Sequence, residues 1–126
     1  MEVSDLKDKT AIVGVGTTPF STLYKTRDPR RNAYNLGIEA FENALEDCGL
    51  RREEIDGVIV SRIPSYTRMC VSAGIKNPRL TNVLEGSGRM SGIALQYATM
   101  AVHAGMASVV ACVYGNDGRS AGASYG

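Results

Sequence analysis

The sequence predicts an α/β domain, a mostly parallel sheet with helices on both faces and a central buried helix. Three observations carry that prediction. Short β-branched and apolar runs at residues 10–15, 55–60, 80–84 and 108–114 alternate with segments of helical period, in the order β-α-β-(α)-β-α-β. The runs are almost wholly apolar, as strands covered on both faces are. Finally, residues 91–104 carry small and apolar side chains almost all round, and a helix without a solvated face belongs inside a layered domain. Right-handed crossovers are expected to join the strands.

The elements follow in order. Residues 10–15 read as a buried first strand ending at Gly16, and Pro19 cannot continue a ladder. Residues 21–31 are polar and basic and read as a loop, with a helix starting between Pro29 and Asn32 and Asp28 as its cap. Ala33, Leu36, Gly37, Ala40, Phe41, Ala44, Leu45 and Cys48 recur at helical spacing, opposite Glu39, Glu42, Asn43, Glu46 and Asp47, and Gly49 is a natural stop. A charged turn at 51–54 leads to the second strand. Residues 66–73 make about two helical turns, 76–79 turn the chain, and 80–84 form the third strand. After the helix at 91–104, residues 108–114 form a fully apolar fourth strand. The glycine-rich tail at 115–126, and a four-stranded parallel sheet with few covering helices, read as the opening portion of something larger.

Composition excludes several classes. With 44% hydrophobic and 21% charged residues the chain is ordinary for one globular domain. A net charge of +1 offers no electrostatic case for nucleic acid or an anionic membrane. Lys25, Arg27, Arg30 and Arg31 cluster, and read as a solvated loop. No apolar run approaches the ~20 residues of a membrane span, and residues 1–9 lack the apolar core of a secretory signal. Cys48, Cys70 and Cys112 lie far apart without a C-x-x-C pair, which suits buried, reduced thiols in a cytoplasmic protein rather than a disulfide framework or zinc site. No metal-ligand cluster is present.

The chemistry concentrates at residues 85–91, Glu-Gly-Ser-Gly-Arg-Met-Ser. A strand there meets a glycine-rich corner that opens a helix. The first turn of a helix presents unpaired N–H groups and a partial positive charge, so such corners bind anions or seat nucleophiles. Gly86 and Gly88 let the backbone approach a ligand. Ser87 and Ser91 read as hydrogen-bonding residues of the helix start, since no general base stands ready to activate them. Arg89 either pairs with a carboxylate or phosphate or is a surface charge. His103 lies at the far end of the helix and reads as a packing or capping residue. Gly14-Val-Gly16 fails the dinucleotide fingerprint, because Pro19 occupies the third glycine position and no helix follows at once.

These residues resemble the N-terminal part of the thiolase superfamily, nearest its thiolase-like lipid-transfer-protein branch. Residues 11–20 are similar to the family's opening strand and its Gly-x-x-x-Pro-Phe exit, residues 40–49 and 55–59 to its first helix and second strand, and residues 85–105 and 109–114 to its nucleophile corner, central helix and next strand. The resemblance implies that residues 1–126 form one N-terminal thiolase-like region, the family's C-terminal half being absent. The family's corner reads Cys-x-Ser-Gly, and its cysteine takes the acyl group. Counting back from Gly105 without a gap puts Gly88 at the cysteine position and Ser91 at the family's glycine. Matching Ser91-Gly92 to the family's Ser-Gly puts Arg89 there instead. The ungapped register is preferred, since helix length is hard to change in a packed core. Either way the cysteine is missing.

By that resemblance the chain is expected to serve an acyl-CoA enzyme that makes or breaks a C–C bond beside a thioester, as an acyltransferase or by a retro-aldol step. Coenzyme A thioester is then substrate, and no cofactor is covalently bound. Gly88, Ser91 and Arg89 are the implied catalytic positions, Gly86 and Ser87 the implied binding positions. A homodimer formed through residues 80–84 and a zinc-ribbon/OB-fold partner protein are implied as well. The missing cysteine also admits a non-catalytic subunit or scaffold.

Overall fold

The computed structural model describes residues 3–19, 28–86 and 88–118. Helix α1 spans Ala33–Cys48, strand β1 Gly57–Ser61, helix α2 Tyr66–Ala73, strand β2 Leu80–Leu84, helix α3 Met90–His103 and strand β3 Val110–Tyr114. Short 3-10 turns at Val3–Leu6 and Arg52–Glu54 complete the elements.

The sheet is parallel and three-stranded, in the order β2-β1-β3. β1 is central, and Val58, Ile59 and Val60 are wholly buried. Each such side chain contributes about 1.5–3 kcal/mol by leaving water. Alternation sends Val58 and Val60 to one face, where Phe41 of α1, Met69 and Cys70 of α2, Ile63 and Val113 join them. α3 covers the opposite face through Ala94 and Ala101, and Ala101 packs with Leu80, Ala107, Tyr97 and Val110. The fold class, a parallel α/β sheet with helices on both faces, is therefore as the sequence predicts. The cover on α3 is one-sided, however: Ile93, Leu95 and Met100 are exposed, so the helix lies on the sheet and is not enclosed all round.

The predicted first strand needs correction. Residues 10–19 form no ladder among the described residues, and Ile12, Val13 and Val15 stand open. Both sides of the central strand β1 are already taken by β2 and β3. The segment lies along α1 instead. Val15 N–H donates to Asp47 Oδ2 at 2.9 Å, and Asn43 Nδ2 donates to Thr17 O at 2.9 Å. A β-carbon on Gly16 would stand 2.1 Å from Ala40 O, so glycine is what lets the two backbones touch.

Helix boundaries follow local chemistry. The cap of α1 is Asn32, whose side chain accepts from Asn35 N at 3.0 Å, and not Asp28, which holds Arg30. Gly49 and Gly74 end α1 and α2 in the left-handed conformation, φ 70 and 74. Arg52 then clamps the helical face. It pairs with Glu42 of α1, donates to Ala73 O at the end of α2 and stacks 5.9 Å from the Phe41 ring centroid. Of the basic cluster, Arg30 pairs with Asp28 and Arg31 with Glu39, while Lys25 and Arg27 lie outside the described residues.

Gly115 ends β3 under a comparable constraint. Its N–H donates to Ser61 O at 3.2 Å, and a β-carbon there would meet Ala33 O at 2.2 Å and Ile63 Cγ1 at 3.0 Å. Gly115→Ala is expected to destabilise the fold by about 1–3 kcal/mol through overpacking against backbone that has no room to retreat. Denaturant unfolding of the variant reads the shift directly, and an unchanged midpoint would show that α1 yields.

Candidate functional site

The pairing register places the ends of all three strands level: Ser61 stands beside Leu84 on one side and Tyr114 on the other. In open parallel sheets ligands bind beyond these carboxyl ends. Two clefts lie there. One, of about 180 Å³, is lined by Ser61, Ser91, Ala94, Leu95, Cys112, Val113 and Tyr114. The other, of about 250 Å³, is lined by Arg62, Ile63, Pro64, Val83, Leu84, Glu85 and Gly86. The corner between β2 and α3 contributes to both, through Ser91 and Gly86.

Gly86 has φ 141, where a side chain is strained, and an added β-carbon would stand 2.8 Å from Met90 Cγ. Glycine is required at this bend for conformation and for space. Gly88 is different: it is exposed, and nothing lies within 4 Å of an added β-carbon. Its carbonyl accepts the N–H of Ser91 at 3.4 Å, so hydrogen bonding into α3 begins at Gly88. Arg89 is the cap residue of α3, is exposed and makes no side-chain capping bond. Ser87 lies outside the described residues. The corner thus brings Gly86, Gly88, Arg89 and Ser91 to one helix start, as the sequence places them. His103 is exposed in the last turn, at the opposite end of α3.

Sequence reasoning missed Ser61, Arg62 and Tyr114. Ser61 is 3% exposed, the buried polar residue of β1, and borders the first cleft. Tyr114 closes β3, half exposed, and its hydroxyl accepts from Asn116 Nδ2 at 3.1 Å. Ser61 and Tyr114 sit at the last positions of their strands, and Arg62 follows β1 directly. The signal that finds them is the common level of parallel strand ends, which needs the register and not the composition.

The cysteines are free, and they differ in setting from the reading that buries all three. Cys70 is buried, Cys48 is half-buried and Cys112 is exposed on β3. The Cys112 sulfur itself turns toward α3, where it donates to Ala94 O at 3.7 Å. Desolvation holds the thiols of Cys70 and Cys112 above the ordinary cysteine range. Both therefore remain thiols at neutral pH and supply no thiolate nucleophile to the corner. No group of three or more metal-ligating side chains occurs among the described residues, and no described helix is long and apolar enough to cross a membrane.

Comparison with known proteins adds the chemistry of similar chains. The chain is 32% identical over 117 residues to a 17-hydroxy-3-oxo-4-pregnene-20-carboxyl-CoA lyase of Mycobacterium tuberculosis, matching 91% of this chain and 29% of that protein. It is 32% identical over 127 residues to a steroid side-chain-cleaving aldolase of Thermomonospora curvata, matching 98% of this chain and 31% of that one. The chain thus spans about three tenths of the length of these relatives. Among solved structures, the Ltp2-ChsH2(DUF35) aldolase superposes with a TM-score of 0.73 at 30% identity, covering 87% of this chain and 28% of that one. The priming β-ketosynthase of the R1128 polyketide pathway superposes with a TM-score of 0.65 at 21% identity, covering 82% of this chain and 41% of that one, a likeness of fold. No family model matches the chain. The parallel β2-β1-β3 sheet, the glycine corner opening α3 and these matches together show a thiolase-like fold.

Proposed function

We propose that this chain is the corner-bearing part of a thiolase-like aldolase that cleaves a carbon–carbon bond next to an acyl-CoA thioester. The observation that carries the reading is the corner itself: an open helix start at the strand ends, with Gly88 in open space and no cysteine among residues 85–91. A retro-aldol step needs no acyl-enzyme. The bond between the thioester α-carbon and a hydroxyl-bearing carbon breaks, the hydroxyl proton passes to a base, and the electron pair moves onto the thioester as an enolate. What the site must supply is stabilisation of the negative oxygen. Unpaired N–H groups at the start of α3 do this without reorganisation, and such donors are worth about 3–4 kcal/mol each in comparable sites. Ser91 and Arg89 stand at the same helix start to orient the carbonyl and offset its charge.

The named relatives support this reading, one being a carboxyl-CoA lyase and another a side-chain-cleaving aldolase. The solved aldolase whose name joins two components supports assembly with a partner protein, which we take to be of the zinc-ribbon/OB-fold kind. β2 is an edge strand, which suits the proposed pairing of two copies through Leu80–Leu84. The missing cysteine supports a second reading, a thiolase-like scaffold that binds the acyl-CoA or partner without turnover.

The test is release of a ketone or aldehyde from a β-hydroxyacyl-CoA, with and without the partner protein. Cleavage is expected, and Gly88→Trp, which fills the open corner, is expected to reduce it at least a hundredfold, the order of one lost oxyanion contact. Binding without cleavage in every combination would leave the scaffold reading standing and remove the enzymatic one.

A further inference from the structure

Arg62 follows β1 directly and lines the larger cleft with Pro64, Leu84, Glu85 and Gly86. Its backbone is left-handed, φ 62, a conformation that an L side chain other than glycine rarely takes and that costs about 1–2 kcal/mol. The chain is pinned on both sides, since Ser61 is 3% exposed and Ile63 is wholly buried. The fold therefore fixes an arginine at this turn, where glycine would fit with less strain, and leaves its side chain in solvent.

The other arginines sharpen the contrast. Arg30, Arg31, Arg51, Arg52 and Arg79 each rest on a carboxylate, and Arg68 lies over the Tyr34 ring at 4.3 Å. Among the described arginines only Arg62 and Arg89 have neither kind of partner. Both flank the corner, at the positive end of α3. Glu85 shares the wall of the cleft and forms no ion pair with Arg62. A guanidinium in that position presents a planar donor fork suited to two oxygens of one phosphate.

We propose that Arg62 is a specificity residue that holds a phosphate group of the coenzyme A carrier at the rim of this cleft. This assignment rests on the acyl-CoA reading above. It gives the strained turn a reason: the residue is needed for its charge, in a place where the backbone alone favours glycine. Glu85 then weakens phosphate binding by its own charge, and Glu85→Gln tightens it.

The experiment is calorimetric titration of the protein with coenzyme A and with pantetheine, which lacks every phosphate. Arg62→Gln is expected to weaken coenzyme A binding about tenfold and leave pantetheine binding unchanged, with Arg62→Lys between the two. Arg62→Gly guards against misfolding, since it removes the charge while relieving the turn; it is expected to match Arg62→Gln in binding and to be no less stable than the native protein. Added inorganic pyrophosphate is expected to displace coenzyme A from the native protein more effectively than from Arg62→Gly. Equal coenzyme A affinity in native protein and Arg62→Gly, or equal loss of both ligands, overturns the assignment while leaving the acyl-CoA reading intact. Failure of the native protein to bind either ligand overturns both.

Discussion

Replacing Asp56 with alanine is expected to destabilise the fold by about 2–3 kcal/mol, a larger effect than its half-buried position suggests. The reason lies at the amino ends of the strands. Asp56 precedes β1, and its carboxylate accepts the N–H groups of Ser108 and Val109, each at 2.9 Å, just before β3 begins. The same carboxylate faces Arg79 at 3.6 Å, and the Asp56 carbonyl accepts from Arg79 N and Leu80 N at the start of β2. One residue thus ties the central strand to both neighbours. Hydrogen bonds to a charged acceptor contribute about 1.5–3 kcal/mol, and losing this one leaves two backbone donors, that of Val109 part-buried, without their acceptor. Asp56→Asn keeps one carbonyl oxygen and is expected to recover about half of the loss. Urea unfolding reads both variants; an alanine midpoint within error of the native one would mean that water replaces the carboxylate at no cost.

The second large effect is expected at the corner. Gly88→Cys meets open space and needs no unusual backbone, so it is expected to fold like the native protein. Its sulfur would stand at the start of α3, beside the exposed Arg89. A helix amino end and a neighbouring cation both favour the thiolate, and thiols in such settings titrate at about 7 or below in place of about 8.5. Desolvation moves Cys70 and Cys112 the other way. The pH profile of alkylation is therefore expected to show one new thiol reacting well below the pH at which those two do. At pH 7 the thiolate fraction rises from about 3% to about half, and the lower intrinsic nucleophilicity leaves a net gain of about threefold in rate. A new thiol titrating at or above the free-cysteine range would show that α3 exerts no useful field at Gly88 and would weaken the proposed enolate stabilisation with it.

These two positions also show what could be read before the structure. The corner was legible because glycine, serine and a following apolar helix are local signals, and Gly86 and Gly88 fall where a bend must form. α2 and β2 were equally legible, with boundaries at Tyr66–Ala73 and Leu80–Leu84. The role of Asp56 was not, because its partners lie more than twenty residues away at the start of β2 and more than fifty away before β3. Residues 10–15 misled for a related reason. Their β-branched pattern records a preference for extended backbone, but a ladder also needs a free strand edge in reach, and α1 captures the segment through Gly14 and Gly16. The enclosed reading of α3 failed in the same way. Small residues at Ala94 and Ala101 meet the sheet, while Ile93, Leu95 and Met100 are at least as apolar and are exposed among the described residues. Arg62 is invisible to composition altogether, since only the backbone angle and the paired state of the other arginines set it apart.

The order β2-β1-β3 has a consequence for how the chain acquires its shape. The middle strand is the first of the three to leave the ribosome, and the partners it needs on either flank are translated more than twenty and more than fifty residues later. Until Leu80–Leu84 and then Val110–Tyr114 arrive, the most water-averse stretch of the polypeptide has only the helices α1 and α2 to shelter it. Assembly of the sheet is thus set by distant encounters, which are slow to nucleate, and the nascent chain is most prone to clump in the interval before residue 114 emerges.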